Sequence, residues 1–375
     1  MHPEFPLSPD LIHLNHAAVG PWPVRTAQAV AAFAQENTLH GSLHYPRWLA
    51  VEKRLRERLQ RLINASETED IALLKNTSEG LSVVAFGLPW RRGDNVVCPL
   101  QEFPSNRIVW QALESRFGVE VRLVDVSVAD PEAALLGATN RRTRLLSVSA
   151  VQYARGLRLD LDRLGAACRH RGIWFCVDAI QQLGALPLDV QAAQVDFLAA
   201  DAHKWLLGPE GIAVFYAGPE ARDALSLNQY GWHMVEHCGD YDRMDWHPAD
   251  SARRFECGSP NMLGIHALDA SLSLFEELGM AFIADALSRN VEYLVDLLRS
   301  AKFEIHSPQA PERRSGIVTF GRRDMDVALS HRRLMDAGVL CAPRGGGIRF
   351  SPHFHTRTGD LERAVEMAAA FAEAG

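Results

Sequence analysis

Short apolar runs recur at Ile71–Leu74, Val96–Leu100, Val119–Val124, Leu145–Val151, Ile173–Val177 and Phe197–Ala200. Near-continuous apolar runs of this length read as strands buried on both faces. Amphipathic segments lie between most of them. The alternation predicts an α/β sheet, mostly parallel and covered by helices on both sides. After Phe197–Ala200 the turn Gly208-Pro209-Glu210-Gly211 leads into Ile212–Tyr216. That connection is too short for a crossover, so the last strand is expected to return antiparallel.

The flanks read differently. Residues 22–63 predict two helices. Pro21 and Pro23 mark the start, and apolar residues follow at helical spacing (Val30, Phe33, Ala34, then Leu49, Val51, Leu55, Leu59, Leu62). Residues 228–262, rich in Gly, His, Trp, Asp and Pro, break the rhythm and read as a long functional loop. Residues 263–300 read as helical. The rest runs strand, helix, strand, strand, helix, which suits a compact α+β second domain.

A length of 375 residues fits two domains of unequal size. A net charge of -7 argues against a dedicated nucleic-acid binder, which needs a basic face. The basic pairs Arg91-Arg92, Arg141-Arg142, Arg253-Arg254 and Arg313-Arg314 read as solvated loops and helix ends. No apolar run approaches the ~18 residues of a membrane span, and the first ten residues do not resemble a secretory signal. Six cysteines without a Cys-x-x-Cys pair point to a reducing cytoplasm.

Candidate chemistry sits at strand ends, where open α/β sheets bind ligands. One apolar run ends in Asp178; the segment after the next ends in His203-Lys204. A buried Asp and Lys describe an ion pair or a helix cap as well as a reactive pair. Asn76-Thr77-Ser78-Glu79-Gly80 follows a strand and opens a helix, so it reads either as a plain N-cap by Thr77 or Ser78 or as a phosphate cradle. Taken together, cradle, acid and amine match pyridoxal 5'-phosphate. The Lys would hold its aldehyde, and the Asp would keep its ring nitrogen protonated so that the ring acts as an electron sink.

These residues lie in wider motifs. Val177-Asp178-Ala179-Ile180-Gln181-Gln182-Leu183-Gly184, Asp196-Phe197, His203-Lys204-Trp205 and Gly208-Pro209-Glu210-Gly211 resemble the signature of class V aminotransferases, fold-type I pyridoxal phosphate enzymes. That family includes cysteine desulfurases, selenocysteine lyases and isopenicillin N epimerases. Asn15-His16-Ala17-Ala18-Val19-Gly20 resembles the family's N-terminal box. Phe255-Glu256-Cys257-Gly258-Ser259-Pro260-Asn261 and Arg349-Phe350-Ser351-Pro352-His353-Phe354 resemble two further segments.

The resemblance implies a large cofactor-binding domain over 15–262 and a small domain from 1–14 with 263–375. It implies Lys204 as the Schiff-base lysine and proton shuttle, and Asp178 as the partner of the ring nitrogen. Gln181 would bond the phenolic oxygen, Phe103 would stack on the ring, and Thr77, Ser78 and His203 would hold the phosphate. Ser259 would reach the phosphate of a neighbouring subunit in a homodimer with shared active sites. Arg349 would grip the substrate carboxylate with its planar fork, and Asn15 and His16 would face the substrate.

Departures from the family bear on the reaction. Phe103 stands where many desulfurases carry a ring-stacking His, and Phe cannot donate a proton. Tyr153 stands near the place of a family Asn. Desulfurases need a mobile Cys before the carboxylate-binding Arg; here Cys341 falls in an expected strand before a short connection, and reads as packing. The resemblance therefore implies an aminotransferase or epimerase-like enzyme acting at Cα of an amino acid. A cysteine or selenocysteine β-lyase or desulfurase, and a non-catalytic pyridoxal-phosphate-binding regulator, are the alternatives. His233, Glu236 and His237 fit a zinc-peptidase pattern, but Gly231 before them and Gly239 after them argue against the helix that pattern needs. His353 and His355 would point to opposite sides of an extended chain. Gly345-Gly346-Gly347 reads as a turn. No metal, nucleic acid or membrane is expected.

Overall fold

A computed structural model describes residues 2–373. Its main sheet has seven strands, in the order Ile71–Leu74, Ala213–Ala217, Phe197–Asp201, Trp174–Asp178, Thr143–Ser149, Asn95–Pro99, Glu120–Val124. The last five are parallel to one another, and Ala213–Ala217 runs antiparallel to both its neighbours. The fold is thus the α/β layer arrangement read from the apolar runs, including the antiparallel return.

Each strand serves two cores. Phe197 and Ala199 pack with Leu81, Val84, Trp110 and Phe215 on one face. Leu198 and Ala200 pack with Leu55, Leu59, Leu164 and Leu268 on the other. This period-two division is the pleat of a strand buried on both sides. Helices Thr77–Gly87 and Ser105–Phe117 cover the first face; Tyr45–Ile63, Leu161–Arg171 and Met262–Leu278 cover the second.

A second, antiparallel sheet orders Ala342–Arg344, Gly347–Phe350, Val318–Gly321 and Glu304–Ile305. Its core takes in Leu294, Phe320, Phe350 and Leu361, and also Ile12 and Leu14 from the N-terminus. Ile12–His13 pairs in parallel with Val339–Leu340. The change of core falls inside helix Met280–Ser300, with Ala286 in the large cluster and Leu287 in the small one. Helix Met262–Leu278 packs on Val24–His40 and Tyr45–Ile63, so the large core extends past the division expected at 262.

Three expectations are corrected. Arg313 is not solvated: its Nη2 donates to the fully buried Glu132 at 2.7 Å, because an uncompensated carboxylate there would be costly. Arg253 donates to the carbonyls of His233 and Val235, and Arg56 bridges Glu52 and Glu256, so side chains pin the 228–262 loop to the body. His353 and His355 do not diverge. Residues two apart share a side even of an extended chain, and their rings stack at 5.5 Å with 24° between planes. No helix among the described residues is long and apolar enough to cross a membrane.

Candidate active site

The carboxyl ends of the central strands open on a cavity of about 270 Å³. This is close to the lower bound for small-molecule sites, ~300 Å³. Thr77, Ser78, Phe103, Asp178, Gln181, His203, Lys204 and Arg349 all line it, though they come from segments up to 272 positions apart. Asp178 is the last residue of its strand, and Lys204 follows Phe197–Asp201 on a tight turn.

Lys204 is 8% exposed, and burial pushes its amine down to about 8. Asp178 opposes that shift and Arg349 adds to it. The Lys204 Nζ lies 5.6 Å from the centre of the Phe103 ring, which meets Tyr153 edge-on at 5.3 Å. Asp178 is 2% exposed, and burial pushes its carboxyl up to about 6, against the pull of the Ile180 N–H on its Oδ1 at 3.1 Å. A cationic group brought against it would restore the carboxylate.

The lysine's backbone is gripped by the N-terminal box. Gly20 N–H donates to the His203 carbonyl at 2.8 Å, and a Cβ on Gly20 would stand 2.4 Å from the Lys204 carbonyl. Gly184, at φ +94°, makes the equivalent approach to the Trp205 carbonyl. Trp205 Nε1 donates to Gln181 Oε1 at 2.8 Å, and Gln181 Nε2 donates to the Ala17 carbonyl at 3.0 Å. One Nε2 hydrogen of Gln181 remains for a ligand.

Helix Thr77–Gly87 begins at the cavity wall. Its cap is Asn76, whose side chain accepts the Glu79 N–H at 2.9 Å, so neither Thr77 nor Ser78 is spent on capping. Thr77 Oγ1 accepts the Asp201 N–H at 3.0 Å, and Ser78 Oγ lies 2.8 Å from Ser105 Oγ. A helix N-terminus with two hydroxyls and His203 beside it suits a phosphate. His203 Nδ1 lies 3.1 Å from Asp201 Oδ1.

Arg349 is 3% exposed, yet no carboxylate faces it among the described residues. Its Nη1 donates to the Tyr153 carbonyl at 2.7 Å, its Nη2 stands 3.5 Å from Asn15 Oδ1, and its Nε has no partner. A desolvated guanidinium with a free edge on a cavity is built for an anion.

Asn15 and His16 do not line the cavity; Asn15 lies against Arg349, its Oδ1 3.5 Å from Nη2. His16 is fully buried, its Nδ1 bonds the Ser351 carbonyl at 2.9 Å, and its ring packs among Trp205, His353 and His355, because the chain turns at Asn15–Ala18. Ser259 is exposed and outside the cavity of its own chain. Sequence reading missed Arg344, Ser105 and Asp201, which line the cavity, and the buried Glu102, held by Ser149. His233 lies by Glu52 and Glu256, but Arg56 already bridges those two acids; His237 stands apart on the surface.

A buried lysine of lowered basicity, a strand-end acid, a helix-borne anion cradle and a fold-type I sheet define a pyridoxal-phosphate-dependent enzyme. When bound, that cofactor supplies an electron sink for charge formed at Cα. The chain belongs to the aminotransferase class-V family, whose pattern matches residues 12–351. Among curated relatives it is 28% identical over 384 residues to a probable cysteine desulfurase of Pyrococcus abyssi, covering 96% of this chain and 94% of that one. It is 30% identical over 323 residues to the uncharacterized aminotransferase YcbU of Bacillus subtilis, covering 86% and 84%. Among solved structures, the cystine C-S lyase C-DES with its product cysteine persulfide superposes with a TM-score of 0.88 at 23% identity, over 97% of this chain and 98% of that one.

Proposed function

We propose that this enzyme cleaves a carbon–sulfur bond of an amino acid, with Arg349 holding the α-carboxylate and Lys204 carrying the Cα proton on Nζ. The unpaired, buried fork of Arg349 beside Lys204 is the observation that carries the reading. Thr77, Ser78 and His203 would hold the phosphate, Asp178 the ring nitrogen, and Gln181 the phenolic oxygen. Phe103 would cover the ring and keep water from it. The names of the desulfurase relatives and of C-DES support sulfur in the substrate.

The sulfur would leave directly rather than through a protein persulfide. Cys341 is buried, and that burial pushes its thiol up to about 12, which leaves it no thiolate at neutral pH. Tyr153 would wall the substrate side, since it lines the cavity against the Phe103 ring. The active unit would be a homodimer in which Ser259 serves the neighbouring cavity, and six free cysteines support a cytoplasmic setting.

The test is to incubate the cofactor-loaded protein with L-cysteine and L-cystine and measure sulfide, persulfide, pyruvate and alanine. Sulfur release that survives Cys341→Ala and vanishes in Lys204→Ala is expected. Release that depends on Cys341 would overturn the direct route. Amino transfer or racemisation without sulfur release would restore the aminotransferase or epimerase reading, and no product of any kind would favour a regulatory protein.

A further inference from the structure

The cavity holds one more cation than the proposed chemistry uses. Lys204 and Arg349 have roles in it; Arg344 does not. Strands Ala342–Arg344 and Gly347–Phe350 form a tight hairpin in which Arg344 lies opposite Gly347 and Ala342 opposite Arg349. Gly345 and Gly346 close it at φ +60° and +82°, as a two-residue turn with both central residues at positive φ requires. Residues directly opposite share a face, and so do residues two apart on one strand. Arg344 and Arg349 are therefore diagonal neighbours on the same face of the hairpin, and both line the cavity.

Neither has a carboxylate partner among the described residues. Among the described residues, the one hydrogen bond of the Arg344 guanidinium goes from Nη1 to the adjacent Pro343 carbonyl at 2.9 Å. By contrast, three arginines that reach into the body are matched with acids: Arg56 with Glu52 and Glu256, Arg222 with Asp70, Arg313 with Glu132. Two unmatched guanidinium groups on one face repel each other; burial foremost, and the Arg344 charge after it, make the Arg349 proton easier to lose. An anion between or beside them relieves that repulsion.

We propose that Arg344 selects amino acids whose side chain ends in an anion, a carboxylate or a sulfinate. The inference rests on the reading that Arg349 takes the α-carboxylate. With that group on the buried arginine, a second anion on the side chain meets the exposed arginine nearer the mouth. Arg344 is thus a specificity-determining residue, and a substrate with a neutral side chain leaves it unsatisfied.

The experiment titrates the cofactor-loaded protein with matched amino acids and follows its visible spectrum, which reads binding independently of turnover. The pairs are L-aspartate with L-asparagine, S-carboxymethyl-L-cysteine with S-carbamoylmethyl-L-cysteine, and L-cysteinesulfinate with L-cysteine. L-Alanine is the reference that has no distal group. The anionic member of at least one pair should bind about tenfold tighter or better, as expected for a charge-assisted contact. Arg344→Gln should remove that preference, read as the ratio of affinities within each pair, Arg344→Lys should keep part of it, and added salt should weaken it. A preference confined to the sulfinate pair would identify that group; one shared by the carboxylate pairs would identify the carboxylate.

Equal or tighter binding of all the neutral members overturns the proposal, as does a preference that survives Arg344→Gln. Failure of the underlying reading looks different: L-alanine binding would then be indifferent to Arg349→Gln, or no amino acid would shift the spectrum, and the inference would fall with it.

Discussion

Glu102 is the sharpest test of the electrostatics beneath the cavity. It is 6% exposed; its carboxyl accepts the Ser149 N–H at 2.6 Å and bonds the Ser149 hydroxyl. Burial, with the field of Asp178 added, raises it from an ordinary 4.5 to about 8, so it is neutral at physiological pH. The sign follows from which state binds the proton. In the unfolded chain the carboxyl ionises near 4.5, while the folded protein keeps its proton up to about 8. Stability therefore falls as pH rises through that window and levels off above it.

Between about pH 6 and about pH 9 the loss amounts to roughly 2 to 3 kcal/mol. Glu102→Gln keeps the shape and removes the titration. The variant should match the wild type below about pH 4.5, where both states carry the proton, lead it by about 2 kcal/mol at about pH 6, and gain roughly a further 2 to 3 kcal/mol by about pH 9, measured as denaturant midpoints across the series. A carbonyl-stretch band from a protonated carboxylic acid, present in the wild type and lost in the variant, gives a second readout. Parallel stability curves for the two proteins, with no such band, would refute a neutral Glu102. The mechanistic consequence would change too, since a neutral Glu102 leaves Asp178 as the single acid under the proposed ring nitrogen.

Three other outcomes follow from the same geometry. Arg349→Lys replaces a planar fork by a point charge, and should raise KM for an amino acid about 10- to 100-fold with a smaller effect on kcat; an unchanged KM would remove Arg349 from the substrate. Uptake of pyridoxal phosphate by the cofactor-free protein needs a neutral Lys204 amine, so its rate should climb with pH through about 8, and a rate flat across that range would contradict the lowered basicity. Gly20→Ala would drive a Cβ to within 2.4 Å of the Lys204 carbonyl; it should cost about 1–3 kcal/mol of stability and weaken cofactor retention, seen in melting curves and dialysis.

What the sequence made legible was set by local rules. Strands buried on both faces announce themselves as apolar runs, and the residues that end them, Asp178 and His203-Lys204, come with them. The antiparallel return could be read because eleven residues between Asp201 and Ala213 cannot build a covering helix and cross over. What stayed hidden depended on distant partners or on register. His16 sits in a motif beside a cavity residue, Ala17, yet a turn sends its ring edge-on against His353 and His355. Arg344 looks like one more surface arginine until the Gly345-Gly346 turn fixes it on the face of Arg349. Nothing local marks Glu102 as buried; its partner, Ser149, lies 47 positions away.

The motifs that look scattered along the chain meet as a belt around one lysine, and that arrangement governs how damage to them should appear. His353 Nε2 bonds the Trp205 carbonyl at 3.1 Å, Trp205 Nε1 holds Gln181, Gln181 holds the Ala17 carbonyl, and Gly20 holds the His203 carbonyl. The N-terminal box, the strand-end segment after Asp178 and the segment after Arg349 thus each bond the backbone or side chain next to Lys204. None of these contacts touches Nζ. Each instead fixes the carbonyls and the indole that set where Nζ stands between Asp178 and Phe103. Because the amine's basicity depends on burial opposed by Asp178, a shift of a fraction of an ångström in this belt alters both contributions together. Trp205→Phe, which deletes the bond to Gln181 and keeps most of the apolar body, is therefore expected to move the pH midpoint of cofactor uptake while the sheet stays folded. Loss of the fold in that variant, or an unmoved midpoint in a folded one, would mean that the lysine is positioned by its own strand end alone.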